Sequence, residues 1–343
     1  MPSGYGMPFA EGRANKVIPL MRRLLMLFAK AAISVLLLYL SLRSVNLAGL
    51  GDRLSRLHAA WIVISLAILA AQLVLLAARW RMIARGCGLA PRYTTMLRVS
   101  FIGTFFNQVL PSTVGGDAAR IYMLAREEGG WAGATYSVLI DRVAGIFALT
   151  LIVFLCLPWT LTLVQDPVAR IVLVLIGFGA IVGALVFLAV GRIRWKPLLH
   201  WRPTRHLVEV SRTAWRICGS WHAISIILAL SFIVHLMTVL AAWCMVQSVS
   251  ASVNFTLLLF MVPPVILIAT VPVSIAGWGV REGSMIVAFA YAGLPQSDGL
   301  VVSVLIGITF FVIGAIGGLI WIAGGMRRPE TTDVAAKPAR ETT

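Results

Sequence analysis

A short motif that would interrupt a helix occurs twice inside apolar stretches of this chain. Proline, glycine and arginine are spaced identically in both copies, and a shift of 161 residues relates Pro111, Gly116 and Arg120 to Pro272, Gly277 and Arg281. An arginine at the centre of a bilayer costs about 2.5 to 3.5 kcal/mol, and interrupted helices survive there only within protein or beside a water-filled cavity. Paired interruptions in two halves of a chain are typical of a transporter's binding site.

The sequence around these motifs is that of a polytopic membrane protein. Hydrophobic residues make up 59% of the 343 residues and charged residues only 12%, which lies outside the range of ordinary soluble proteins. Apolar runs of about 20 residues predict membrane-spanning helices. Six runs satisfy this criterion, at 24–42, 60–78, 132–157, 168–190, 222–247 and 300–323. We therefore predict an all-α fold with about six spans.

The distribution of the net charge of +16 favours a membrane over nucleic acid as the partner. Basic residues concentrate in loops such as 192–216, whereas 217–280 contains no Asp, Glu, Lys or Arg. This is the pattern of the positive-inside rule, with attraction to anionic lipid headgroups. It predicts a multi-pass protein of the bacterial inner membrane with both termini in the cytoplasm.

The two interrupted segments are predicted to be re-entrant hairpins. If 99–125 crossed the membrane once, the basic loop 192–216 would fall on the outer side, against the positive-inside rule. A hairpin avoids this, and 255–292 would enter likewise from the opposite face. Units 60–157 and 222–323 then form an inverted repeat. The alternative is a chance match of three residues in a chain rich in Gly and Pro.

The chain divides into four parts around this repeat. Residues 1–21 are predicted to be a cytoplasmic N-terminal segment, followed by a transmembrane domain over 22–325. Within that domain, 191–221 mixes basic and apolar residues, so it is either an amphipathic element on an anionic leaflet or a solvated connector. The tail 326–343, rich in Pro, Thr, Ala and charge, is predicted to be disordered.

Candidate substrate-binding residues flank both interruptions. A half-helix that starts after Gly116 or Gly279 would direct free backbone N–H groups and a positive dipole end towards an anion. The guanidinium groups of Arg120 and Arg281 would add bidentate phosphate contacts. The polar residues beside them are Asn107, Ser112 and Ser274, and the residues expected to break the helices are Pro111, Gly115, Pro272 and Gly277.

Charged residues near these positions are candidates for holding or gating the cavity. They are Asp117, Asp141, Arg142 and Glu282. The alternative is that these acids and arginines only neutralise one another or anchor at the interface. His235 and Gln72 lie within apolar runs, where a packing hydrogen bond is favoured over a proton relay.

No residue pattern indicates a cofactor or a metal site. Cys87, Cys156, Cys218 and Cys244 lack metal-type or redox-type spacing, so small apolar packing roles are expected. Nucleotide-binding loops and nucleophile motifs are also missing from the sequence. We therefore do not expect an ATP-driven pump.

Three stretches carry a resemblance to a known family. They are FFNQVLPSTVGGDAARIYML, VLIDRVAG from Val138, and PVSIAGWGVREGSMIV. The chain resembles the lysylphosphatidylglycerol synthase transmembrane-region, or flippase-like, proteins over about 20–325. That family includes the flippase half of the multiple peptide resistance factor and membrane proteins of hopanoid biosynthesis. Asp117 and Asp141 stand where Glu is commoner in the family, which leaves the substrate open.

The resemblance implies movement of lipid between leaflets rather than lipid chemistry. We expect a translocase for a polar or anionic lipid, such as a phospholipid, a hopanoid or a polyprenyl-linked lipid. Two alternatives stay open: a membrane enzyme that uses Asp117, Asp141 or Glu282 as acid or base, and an accessory partner that recruits lipid-biosynthesis enzymes.

Overall fold

A computed structural model describes residues 57–110, 114–192, 202–251, 253–271, 274 and 276–324, with six scattered positions between 32 and 43. These residues form helices joined by short connections, and the described ranges contain no strand. In chain order the helices from residue 59 onwards are α1 (Ala59–Gly86), α2 (Tyr93–Val109), α3 (Gly115–Glu128), α4 (Trp131–Leu163), α5 (Pro167–Val190), α6 (Arg202–Cys218), α7 (Trp221–Ser248), α8 (Phe255–Ala269), α9 (Val280–Tyr291) and α10 (Gln296–Gly324). The predicted all-α class is confirmed.

Five of these helices are long and apolar enough to cross a membrane. They are α1, α4, α5, α7 and α10, with mean hydropathies between 2.3 and 3.0 over their most apolar windows. Each contains one of the predicted runs between 60 and 323. The remaining run, 24–42, lies almost wholly outside the described residues, as do 1–21 and 326–343.

The order and lengths of four successive helices recur later in the chain. Helices α1 to α4 comprise a long helix, two short helices and another long helix, and α7 to α10 repeat this order. A shift of 161 residues, the shift that relates the two sequence motifs, superimposes the bounds of α1 on those of α7 within one residue. The recurring motif therefore belongs to a recurring four-helix unit.

The equivalent long helices α1 and α7 pack along each other in opposite directions. Near the start of α1, Ser65 Oγ donates to the carbonyl oxygen of Ala241 at 3.0 Å. Near its end, Arg79 Nη1 donates to Ser231 Oγ at 3.0 Å. Because later residues of α1 meet earlier residues of α7, the two helices are antiparallel.

The first interruption separates α2 from α3, which fold back on each other. Gly116 N donates to Asn107 Oδ1 at 2.8 Å beside the interruption, and Arg98 forms an ion pair with Glu127 at the other end of the two helices. The helices are therefore antiparallel, with Leu110 in an extended conformation at the end of α2. The predicted breaking residue Pro111 and the candidate Ser112 lie outside the described residues.

The second interruption, between α8 and α9, depends on glycine. Gly277 and Gly279 have φ angles of 81° and 85°, in a region that residues with a Cβ rarely adopt. Helix α9 begins directly after Gly279. Gly277 was predicted to break the helix and Gly279 to precede a half-helix, while the predicted breaking residue Pro272 lies outside the described residues.

Helix α6 covers the described part of the predicted amphipathic connector. Its apolar face is turned to the protein, because Val210, Ala214 and Ile217 are buried in a cluster with residues of α1, α4 and α7. Ser211 Oγ also donates to the carbonyl oxygen of Phe187 in α5 at 2.6 Å. The apolar face of α6, for which contact with an anionic leaflet was one of the two alternatives, therefore packs against neighbouring helices.

Cys87, which follows α1, gives a test of this packing. Burial raises the pKa of the Cys87 thiol from 9.0 to about 11, although the nearby Arg216 acts in the opposite direction. Since the thiolate is the reactive form, we expect N-ethylmaleimide at pH 8 to modify Cys87 about a hundredfold more slowly than an ordinary thiol. The measurement uses a variant that retains Cys87 alone, with the guanidinium-unfolded protein as the control. Equal rates before and after unfolding would contradict the packing of α6 on α1.

Candidate functional site

Five charged side chains from α1, α3 and α4 form an alternating chain, here called the charged cluster. Arg79 Nε and Arg120 Nη2 donate to the two carboxylate oxygens of Asp141, each at 2.9 Å. Arg120 Nη1 and Arg142 Nε donate to the two oxygens of Asp117 at 3.4 and 2.6 Å. Each carboxylate is thus shared by two guanidinium groups, and three arginines against two aspartates leave one formal positive charge.

The inner end of the charged cluster is removed from solvent. Arg79 is 4% exposed and Asp141 is 3% exposed, so each charge depends on its partners. The guanidinium of Arg120 lies over the ring of Trp80 at 4.0 Å, and the Trp80 indole N–H is fixed by Ser137 Oγ at 3.1 Å. The outer end is wetter, because the side chain of Arg142 is 42% exposed.

The charged cluster reaches this position because α2 and α3 approach unusually closely. A Cβ built on Gly116 would overlap the carbonyl oxygen of Gly103, and one on Gly103 would lie 2.9 Å from Cγ of Arg120. Only glycine permits this separation. The two glycines therefore place Arg120 against α4, where Asp141 is.

A cavity of about 250 Å³ lies next to the charged cluster. Four of the five charged residues line it, the exception being Asp117. It also reaches both interruptions, since Asn107 near the end of α2 and Thr270 at the end of α8 are in its wall. The cavity thus joins a surplus of positive charge to both breaks in the helical framework.

The two polar residues that the sequence analysis noted inside apolar runs also line this cavity. A ring nitrogen of His235, Nε2, makes a hydrogen bond with the carbonyl oxygen of Gly145 at 2.9 Å. Thr238 Oγ1 donates to Oε1 of Gln72 at 3.4 Å. Both contacts join different helices, in agreement with the predicted packing role.

Arg281 belongs to a different cluster. Its Nη2 donates to Glu282 Oε1 at 2.5 Å, and its Nε donates to Ser303 Oγ at 3.1 Å. Glu282 is fully buried, and its other oxygen accepts from Gly279 N at 2.6 Å. Arg281 does not line the cavity that holds Arg120. The structure therefore does not bring together the two arginines that the sequence analysis placed in one site.

The expectation that free amides at Gly116 and Gly279 bind an anion is wrong. Gly116 N donates to Asn107 Oδ1 at 2.8 Å, and Gly279 N donates to Glu282 Oε2 at 2.6 Å. Both groups are satisfied within the protein, as helix starts usually are. Ser274, the remaining described candidate, is 1% exposed, and its hydroxyl has no hydrogen-bond partner among the described residues.

The sequence analysis missed Arg79 because the predicted apolar run ends at residue 78. Helix α1 continues to Gly86, so Arg79 lies inside it. A signal was available: Arg79 directly follows the apolar run and precedes a tryptophan, with no turn residue before Gly86. Its partner Ser231 lies 152 residues away and gives no local signal.

Comparison with known proteins agrees with this architecture. A family model described as the lysylphosphatidylglycerol synthase TM region matches residues 27–318. The chain belongs to this family. Together with the five long apolar helices, membership in the lysylphosphatidylglycerol synthase TM region family makes it a multi-pass membrane protein.

One curated relative is UPF0104 membrane protein PH1989 of Pyrococcus horikoshii. The two are 22% identical over 131 residues, which cover 37% of this chain and 38% of the relative. The match therefore spans well under half of the relative's length. No solved structure matches the chain significantly.

Proposed function

We propose that the protein moves a polar or anionic membrane lipid between leaflets, with the charged cluster as the headgroup site. The observation that carries this proposal is the cavity beside Arg79, Arg120 and Arg142, which meets both helix interruptions. Three guanidinium groups against two carboxylates leave one positive charge to complement a phosphate. Membership in a family named for a lipid synthase supports a lipid as the substrate.

We further propose that the two four-helix units form an inverted repeat, with α2–α3 and α8–α9 as re-entrant hairpins. The antiparallel contact of α1 with α7 supports the opposite orientation of the units. The helices α2, α3, α8 and α9 have 17, 14, 15 and 12 residues, fewer than the roughly 20 residues that a full span needs. The basic loops then lie in the cytoplasm, with the protein in the bacterial inner membrane.

Transport is favoured over catalysis because both carboxylates of the charged cluster are held by arginines. Asp141 and Asp117 each accept from two guanidinium groups. Each oxygen of both carboxylates already accepts from a guanidinium group, so neither carboxylate presents an unengaged oxygen to a lipid. We therefore propose that the chain is not an enzyme and that lipids, with lipid-biosynthesis enzymes as possible suppliers, are its partners.

The test measures transbilayer movement of a fluorescent phosphatidylglycerol in proteoliposomes. Replacing Arg120 with glutamine removes a charge-assisted contact to phosphate, which is worth about 1.5 to 3 kcal/mol. We therefore expect the rate to fall by about ten- to a hundredfold. Arg142→Gln tests the same role with less disturbance, because that side chain is 42% exposed.

Arg212→Gln is the matched control for these variants. It removes an arginine from an exposed ion pair with Glu209 in α6, at 3.3 Å, and the rate is expected to stay unchanged. Wild-type rates for both Arg120→Gln and Arg142→Gln, in protein that elutes from size exclusion like the wild type, would refute the headgroup site.

A further inference from the structure

A second and larger cavity lies on the opposite face of the α2–α3 hairpin. The residues of α2 and of its two flanking positions that line this cavity recur every three or four positions and so share one helical face: Arg92, Thr95, Arg98, Ile102, Phe106 and Leu110. The α2 residues that line the cavity beside the charged cluster lie on the other face: Ser100, Gly103, Thr104 and Asn107. The hairpin therefore separates the charged cluster from a groove of about 730 Å³, here called the outer groove.

Polarity changes along the outer groove. Charged residues lie at the end where α2 begins and α3 finishes: Arg92, Arg98, Arg126, Glu127 and Glu128. Apolar side chains line the other end, towards the interruption, and include Ile102, Phe106 and Leu110. From Arg92 to Leu110 the chain rises about 27 Å at 1.5 Å per residue.

Aromatic packing against α10 forms one wall of the apolar end. The ring of Trp321 stacks on Phe105 at 6.2 Å and meets Phe106 edge-on at 5.3 Å. Trp321 is 43% exposed, so it keeps a free apolar surface towards the groove. A wall of this kind suits a hydrocarbon chain.

The charged end of the outer groove retains capacity for an anion. Arg98 pairs with Glu127, but its buried Nε has no partner among the described residues. Arg126 donates to the Tyr122 hydroxyl at 3.1 Å, a neutral acceptor that leaves its charge uncompensated. Three arginines against two glutamates again leave one positive charge, as in the charged cluster.

We infer that the outer groove binds one glycerophospholipid, with its phosphate against Arg98 and Arg126 and an acyl chain along Ile102, Phe106 and Trp321. The charge and the apolar wall match the two ends of such a lipid, and the volume lies in the usual range for ligand cavities. Binding itself is independent of transport. A role for that lipid in transport, held on the opposite side of the hairpin from the charged cluster, rests on the proposed function.

The experiment uses the purified full chain in vesicles that contain a phosphatidylglycerol with a photoreactive diazirine in its acyl chain. After illumination, mass spectrometry of the peptides locates the cross-links. We expect them on the α2, α3 and α10 residues of the outer groove. The double variant Arg98→Gln/Arg126→Gln should reduce this labelling at least tenfold, whereas Arg212→Gln should leave it unchanged.

A second variant tests the same site without altering its charge. Ala118 is an exposed residue of the groove wall, and Ala118→Trp would fill the space without disturbing a packed core. We expect it to remove the labelling as well. Two results would overturn the inference: cross-links spread evenly over the lipid-facing helices, or cross-links in the groove that neither variant reduces. Either result would mean that the outer groove holds no lipid, whether it is empty or filled by residues 325–343.

Failure of the inference can be distinguished from failure of the proposed function. Arg120 lies on the other face of the hairpin from the outer groove. Arg120→Gln should therefore slow transport but leave the cross-linking of lipid in the groove at the wild-type level. Groove labelling with unimpaired transport in both Arg120→Gln and Arg142→Gln would support the outer groove and refute the headgroup site. The reverse result would refute the outer groove alone.

Discussion

Replacing Asp141 with asparagine is expected to lower the free energy of unfolding by about 3 to 5 kcal/mol. Asp141 accepts from Arg79 and Arg120, each at 2.9 Å. Asparagine has nearly the same shape but no charge, so it leaves the guanidinium of Arg79 buried without a counter-ion. Breaking one side of a buried ion pair costs more than the pair itself contributes, because the remaining charge has lost its hydration.

This effect can be measured as the midpoint of thermal unfolding in detergent. A change of this size should lower the midpoint by about 5 °C or more. Glu209→Gln is the control, since it removes a carboxylate from an exposed pair with Arg212, and such pairs contribute less than about 1 kcal/mol. If the unfolding midpoint of Asp141→Asn lay within about 1 °C of that of the control, the change in stability would be too small for a broken buried ion pair.

A double variant separates loss of charge balance from loss of packing. Arg79→Met/Asp141→Asn removes both charges of the most buried pair, while Arg120 keeps Asp117 as its counter-ion. We expect this protein to be more stable than Asp141→Asn alone, because apolar replacement of a buried pair is often neutral. If the double variant is the less stable protein, lost packing rather than the orphaned arginine explains the single variant.

The positions of the long helices could be predicted from the sequence because local hydrophobicity determines them. A run of about 20 apolar residues has to be helical in a bilayer, since the backbone can satisfy its polar groups in no other open form. The interruption near Gly277 and Gly279 was predictable for a related reason. Both residues adopt positive φ angles, and glycine is the residue that does so without strain.

The partners of the charged residues could not be predicted in the same way. Arg120 and Arg281 occupy equivalent positions in the sequence motif, but their surroundings differ. Arg120 meets Asp141 from the neighbouring long helix α4, whereas Arg281 pairs with the adjacent Glu282. The equivalent of Asp141 in the second unit is the apolar Val302. Which acid neutralises an arginine depends on contacts between helices, and a repeated motif does not specify these.

The amides at the helix starts show the same limitation. A glycine before a helix indicates where N–H groups become free, which suits an anion. Whether a side chain of the protein satisfies them first depends on the fold. Here Asn107 and Glu282 accept from Gly116 and Gly279. The candidate site is therefore formed by arginine side chains, and the helix ends serve to position them.

The second large effect is expected at Gly317, where α10 crosses α2. A Cβ built on Gly317 would overlap the main-chain carbonyl of Phe101, and one on Gly318 would lie 2.8 Å from the ring of Phe105. The overlap at Gly317 involves backbone, which cannot rotate away as a flexible side chain can. Small residues at such crossings allow helices in membranes to approach closely enough for dispersion contacts to hold them together.

We therefore expect Gly317→Leu to force α10 away from α2 and to destabilise the protein by about 3 kcal/mol or more, at the upper end of the range for overpacked sites. Thermal unfolding in detergent measures this, and Gly183→Leu is the matched control because a Cβ at Gly183 meets nothing within 4 Å. The same displacement would move Trp321 off Phe106 and widen the apolar end of the outer groove. Gly317→Leu should therefore also weaken acyl-chain cross-linking there, while Gly183→Leu leaves it intact. Equal stability of the two leucine variants would show that α10 and α2 do not cross at Gly317.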